Sequence, residues 1–448
     1  MGPVEVPMDA LYGAQTQRAV HNFPISRLRF QRGFLRALGL IKSAAARING
    51  QLGHLSVETA KAVEAAAESV VEGAFDSEFV VDVFQSGSGT STNMNCNEVI
   101  ARLASIRSNT VVHPNDHVNR AQSSNDVIPS AMQIAAAESI HGALLPAMEM
   151  LRAVLERKSS EFDGFVKTGR THLQDAVPVR LGQEFHGYAT QVRYCVGRVN
   201  AALPGIFALP LGGTAVGTGL NAPRGFAQAV VAIIAERTGL PFQEAEDHFE
   251  AQSARDAILF LSGGLRTYAI ALTKIANDIR WMGSGPRNGL GELRVPAIQP
   301  GSSIMPGKVN PVIAESLLMV CAQVIGHDAA ILWCCAGGNF ELNTMMPLMV
   351  YDVLESIQLL AAATRNFALR CVDGLEADRD RIETLTERSL SLATALAPEI
   401  GYDKAAEIAE KAHATGRTVR EVARQVTGLP DSRLDQLLNS LHQTGPSD

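Results

Sequence analysis

The chain has 448 residues, 46% of them hydrophobic, and a formal net charge of −7. That apolar content supports an extensive buried core and excludes a disordered chain. The acidic balance, without a basic run, excludes a typical nucleic-acid binder, so a site for an anion has to be locally positive.

Taken in chain order, the opening residues show no charged-then-apolar segment, so no secretory leader is expected. No apolar run reads as long enough to span a membrane. Six cysteines, at 96, 195, 321, 334, 335 and 371, lack CxxC spacing. They predict reduced, buried thiols in a soluble, cytoplasmic protein. Adjacent Cys334 and Cys335 read as core packing.

The first polar island, Ser86–Thr92, reads SGSGTST and runs into the helical stretch NMNCNEVIARLASI. The run HPNDH offers His113, Asp116 and His117, but its spacing matches no standard ligand set, and no metal is expected. A second island, Gln122–Asp126 (QSSND), leads into a helix starting near Pro129 and predicted over about 132–160. A third, Gly169–Asp175 (GRTHLQD), precedes a helix at 181–201. Residues 202–222 form a Gly/Thr/Pro loop too long to be idle in a compact domain, and a helix follows at 224–238.

In 258–282, Ile258, Leu261, Leu265, Tyr268, Leu272, Ile275, Ile279 and Met282 alternate steps of three and four, a heptad seam. The fourth island, 301–311, is GSSIMPGKVNP. A phosphate loop needs four residues between its glycines and a hydroxyl after its lysine. Here five residues separate Gly301 from Gly307, and Val309 follows Lys308, so that reading fails. Asn310 and Pro311 suit an N-cap and a first helical residue. The next stretch, 312–336, is apolar on nearly every side, which requires more surrounding helices than one chain's bundle provides. Helices are predicted at 348–370 and 378–396, and the tail from 379 is more charged. Strand-like alternation is sparse, so a helical bundle is expected, with a small separate domain after it.

Helix N-termini present unsatisfied N–H groups and partial positive charge, so each island is a candidate for carboxylate binding. Taken singly, each island also reads as an ordinary cap, His172 as structural, and Lys308 as a solvated surface charge. Four islands rich in Ser, Thr and Asn, with one histidine and one lysine among them, favour a shared site. Being far apart in sequence, they need long helices or several subunits to meet.

These motifs resemble the fumarase/aspartase superfamily, whose members release fumarate by cleaving a C–O or C–N bond beta to a carboxylate. GSGTSTNMN, HPNDHVNRAQSSND, GRTHLQDAVPV, GGTAVGTGLN and GSSIMPGKVNP stand in the family's order along essentially the whole chain. Within the superfamily the similarity is greatest to the class II fumarases. Ser88 in GSGT, the serine pair of QSSND, Gly307, GNFELN at 338–343 and IGYDKAA at 400–406 point there. Ser91, His117 and Arg180 depart from the usual residues.

The resemblance implies an all-α fold with domains at 1–123, 124–378 and 379–448. It also implies an elongated central helical bundle and a homotetramer with a twenty-helix core, three subunits sharing each site. It implies a dicarboxylate substrate, fumarate or L-malate, and neither metal nor other cofactor. It assigns Ser302 as catalytic base, His172 as general acid through a water, Glu315 as the partner of His172, and Lys308 with Asn310 and Ser303 as holders of developing charge. Ser88, Gly89, Thr90, Ser123, Ser124, Asn125, Thr171 and Val309 match substrate-binding positions. His113, Pro114, Asn115 and Asp116 match a second, non-catalytic dicarboxylate site. Relatives that begin some residues earlier leave room for a removed organelle-targeting segment. An ammonia-lyase such as aspartase is the nearest alternative, and a catalytically silent helical scaffold the one from another class.

Overall fold

The computed structural model describes residues 2–446. The chain divides into two compact units. One comprises 1–146, 195–269 and 320–362, the other 147–194, 270–319 and 363–448.

In the first unit, the helix Arg32–Gln51 buries Phe34, Leu38, Ile41, Ala45 and Ile48, steps of four and three that make one apolar stripe. It packs on Val57–Glu72, which Ser56 caps at Thr59 N and Gly73 ends in the left-handed conformation. The helix Ser124–Ser139 begins five residues before Pro129. A capping box opens it: Ser123 Oγ faces the first-turn N–H groups while Asp126 answers at Ser123 N. Pro129 therefore lies inside the helix rather than at its start. A π turn at Ile140–Leu144 connects it to Leu145–Glu161.

The second unit contains an antiparallel hairpin, Val166–Thr171 with Gln174–Arg180, closed by the pair Thr171 and Gln174. The island GRTHLQD is thus a hairpin turn rather than the lead-in to a helix, and His172 owes nothing to a helix N-terminus. At the C-terminal end, Leu396, Ile408, Ala412, Val422, Leu434 and Leu438 form a separate small core. Asp378 caps Arg379–Arg388. The predicted helix 378–396 then breaks at Ser389, whose extended backbone leads into a 3-10 turn, Leu390–Leu396.

The remaining predicted helices appear as Leu181–Phe207, Phe226–Thr238, Asp256–Met282, Val312–Cys335 and Met346–Phe367. All eight seam residues from Ile258 to Met282 are buried. The all-α expectation holds, with four two-stranded ladders as its only sheet structure among the described residues. No cysteine is in a disulfide among the described residues, and all but the half-buried Cys335 are buried, as expected.

The membrane-span expectation needs correction. Asp256–Met282, Val312–Cys335 and Met346–Val372 are each long and apolar enough, by length and composition, to cross a membrane. An uninterrupted apolar run was the wrong test, because a spanning window tolerates isolated charges. Only 39% of the most apolar window of Val312–Cys335 is buried within the chain.

Candidate active site

Three of the sequence motifs converge in the first unit. Gly89, with φ +71°, precedes the helix Thr90–Ser108, and Ser88 and Thr90 hydroxyls meet at 2.7 Å. Thr90 Oγ1 also meets Ser124 Oγ at 2.7 Å, joining the SGSGT and QSSND helix starts. Ser123 Oγ accepts from Asn125 N, and Asn125 Nδ2 donates to Ala215 O of the Gly/Thr loop at 2.7 Å. Asp126 is fully buried; its Oδ2 accepts from Gly212 N and Thr214 N, both at 3.0 Å. Burial raises the Asp126 pKa, against the opposing pull of these backbone donors. Five predicted binding residues, Ser88, Thr90, Ser123, Ser124 and Asn125, thus form one hydroxyl and amide cluster.

The cluster is held from behind by a close backbone approach. A Cβ on Gly87 would lie 1.7 Å from Thr344 O, and Gly87 O accepts from Met346 N. Only glycine fits there. Thr344 directly follows GNFELN, which forms the short ladder Gly338–Asn339 with Leu342–Asn343.

In the second unit the loop 301–311 folds on itself. Gly301 N donates to Lys308 O, and Asn310 Nδ2 donates to Gly301 O at 2.8 Å. Ser302 Oγ accepts from Ile304 N at 3.2 Å and from Met305 N at 3.0 Å. Two amides aimed at one serine oxygen form an oxyanion-stabilising arrangement. Lys308 Nζ donates to Asn310 Oδ1 at 2.7 Å. Asn310 therefore braces the loop instead of capping the helix Val312–Cys335, correcting the N-cap expectation. Ser303, Lys308 and Val309 are exposed, and Glu315 is half-buried in the first turn.

Thr171, His172 and Leu173 are exposed at the hairpin tip, with φ +56° at His172 and +60° at Leu173. No hydrogen bond or ion pair joins His172 to Glu315 among the described residues of the single chain. The second-site residues fold locally. His113 Nδ1 accepts from Asp116 N at 3.1 Å and lies 3.0 Å from Asp116 Oδ2, while Pro114–Val118 makes a π turn. Sequence reasoning quoted the motif that holds loop 212–215 and the island that ends at Asp126, but gave none of these residues a role in the site. The donors there are backbone N–H groups, which leave no residue-type signal.

The class of the protein follows from a family match: residues 2–326 match the family described as "Lyase". Residues 392–442 match "Fumarase C C-terminus". The chain is 51% identical over 452 residues to the fumarate hydratase class II of Methylorubrum extorquens, covering 100% of this chain and 96% of the relative. It is 53% identical over 422 residues to that of Mycobacterium tuberculosis, covering 94% and 89%. The solved class II fumarase of Schistosoma mansoni superposes with a TM-score of 0.96 at 38% identity, covering 99% of this chain and 98% of that one. A fumarate lyase:delta crystallin structure from Brucella melitensis, bound to cobalt, gives 0.94 at 44%, again covering 99% and 98%. The chain belongs to the class II fumarate hydratase family.

Proposed function

We propose that the chain interconverts fumarate and L-malate, acting as a carbon–oxygen lyase through the residues above. The observation that carries the reading is the pair of amides on Ser302 Oγ, in a loop that also presents Lys308 and Asn310. In the malate-to-fumarate direction, Ser302 as an oxyanion takes the weakly acidic proton alpha to one carboxylate. The resulting aci-carboxylate is held by Lys308, Asn310, Ser303 and the backbone at Val309. His172 delivers a proton through a water to the departing hydroxide, with Glu315 raising its proton affinity. Ser88, Gly89, Thr90, Ser123, Ser124, Asn125 and Thr171 grip the carboxylates. His113, Pro114, Asn115 and Asp116 serve as an accessory dicarboxylate site.

The working form is a homotetramer whose twenty-helix core unites sites from three subunits, in a soluble, cytoplasmic enzyme divided at 1–123, 124–378 and 379–448. Supporting this, Met319 is 69% exposed and Trp333 73% exposed on the apolar helix Val312–Cys335, surface that neighbouring copies would cover. The lack of a His172–Glu315 contact within one chain fits sites completed by neighbours.

The test is an absorbance assay at the fumarate band, comparing malate with aspartate on a fraction sized by light scattering. Malate turnover by a tetramer is expected. Aspartate turnover overturns the substrate, and full activity in a monomer overturns the shared site.

A further inference from the structure

Behind the hydroxyl cluster lies a lysine that the proposed chemistry does not use. Lys42, on the stripe-bearing helix Arg32–Gln51, is fully buried. Among the described residues, no carboxylate lies within ion-pairing distance of it. A buried ammonium without such a contact is costly, and its helix neighbours Leu38 and Ile41 show what the position would hold for packing alone.

Its Nζ donates instead to Asn119 Oδ1 at 3.1 Å. The same oxygen accepts from Asn93 Nδ2 at 3.1 Å and Asn97 Nδ2 at 3.0 Å. Asn119 Nδ2 donates to Gln122 O at 3.1 Å. Asn93 and Asn97 lie in the first two turns of the helix that starts at Thr90, and Gln122 immediately precedes Ser123. One side chain therefore ties together the two helix starts whose hydroxyls, on Thr90 and Ser124, meet at 2.7 Å.

We infer that Lys42 is a positioning residue for the dicarboxylate grip. Through Asn119 it fixes the Thr90 helix start against the Ser124 helix start, and it supplies positive charge in an acidic chain. The inference rests on the substrate reading above.

The groups facing Lys42 are Cys96, on the Thr90 helix, and Asp126, on the Ser124 helix. Burial pushes the Cys96 thiol up to about 12, so it is neutral at working pH. Asp126 is raised by burial against its three backbone donors and the Lys42 charge. Burial lowers Lys42 to about 8, with Cys96 and Asp126 opposing. The ammonium is then lost as pH rises through about 8.

The experiment measures malate KM and kcat from about pH 6.5 to 9.5 for wild type, Lys42→Met and Ser124→Ala. Wild-type KM is expected to climb above about pH 8. Lys42→Met should raise KM about tenfold at neutral pH, with kcat within about twofold, and should lack the alkaline climb. Normal KM in Lys42→Met beside a raised KM in Ser124→Ala overturns this inference and leaves the grip intact. Normal KM in both overturns the grip itself. If Lys42→Met does not fold, a flat wild-type KM across that range overturns the inference without the variant.

Discussion

The hydroxyl cluster of the first unit and the 301–311 loop of the second are built in opposite ways. Thr90, Ser124, Asn125 and Asp126 interlock three distant segments, and the cluster rests on buried side chains. The side chains of Ser302, Lys308 and Asn310 bond within their own loop among the described residues, and most of that loop is exposed. On the proposed mechanism, their contrast separates two tasks. Carboxylate binding gains from donors fixed in advance, because ordering them on binding would cost affinity. Proton abstraction gains from a loop that closes over substrate and excludes water.

The largest test of that separation is Ser302→Ala. It leaves every bond of the cluster in place and removes the oxygen that two amides hold. Steady-state kinetics should show kcat falling about a thousandfold, with KM within about threefold. A loss confined to KM would place Ser302 on the binding side and break the comparison.

Thr90→Val is the complementary probe, with a smaller effect. The isosteric methyl deletes the hydroxyl shared by Ser88 and Ser124 and leaves the helix start its shape. A lost hydrogen bond to a carboxylate predicts a KM increase of about tenfold with kcat nearly unchanged. A kcat loss as large as that of Ser302→Ala would mean the cluster takes part in chemistry.

Legibility in the sequence divides along physical lines. QSSND was readable because a capping box has a residue-type signature at fixed spacing, and SGSGT only as a small polar island before a helix. The seam Ile258–Met282 was readable because its eight apolar residues keep steps of three and four throughout. The hairpin behind His172 was not readable. Its turn residues, His172 and Leu173, both have positive φ without the glycine or asparagine that normally marks such a turn. Asn310 misled for another reason: Asn before Pro is a fair cap, but its side chain is already engaged by Gly301 and Lys308. The anchoring of loop 212–215 by Asp126 was invisible because one partner is backbone.

The smallest expected effect comes from His113→Ala, and it sharpens the comparison by supplying a third kind of polar motif. His113, like the cluster residues, precedes a helical turn, and its Nδ1 accepts from Asp116 N. Yet its bonds are local, and Asp116 is 75% exposed. A cap that satisfies only its own turn contributes about 1 kcal/mol to local stability and has no link to Thr90 or Ser124. Malate kcat/KM should therefore stay within about twofold of wild type, the usual range for a change outside the catalytic site, while the turn itself loosens in hydrogen exchange. A tenfold fall in kcat/KM would show that carboxylate capture begins at His113, and that interlocking between segments is not what marks a binding motif in this fold.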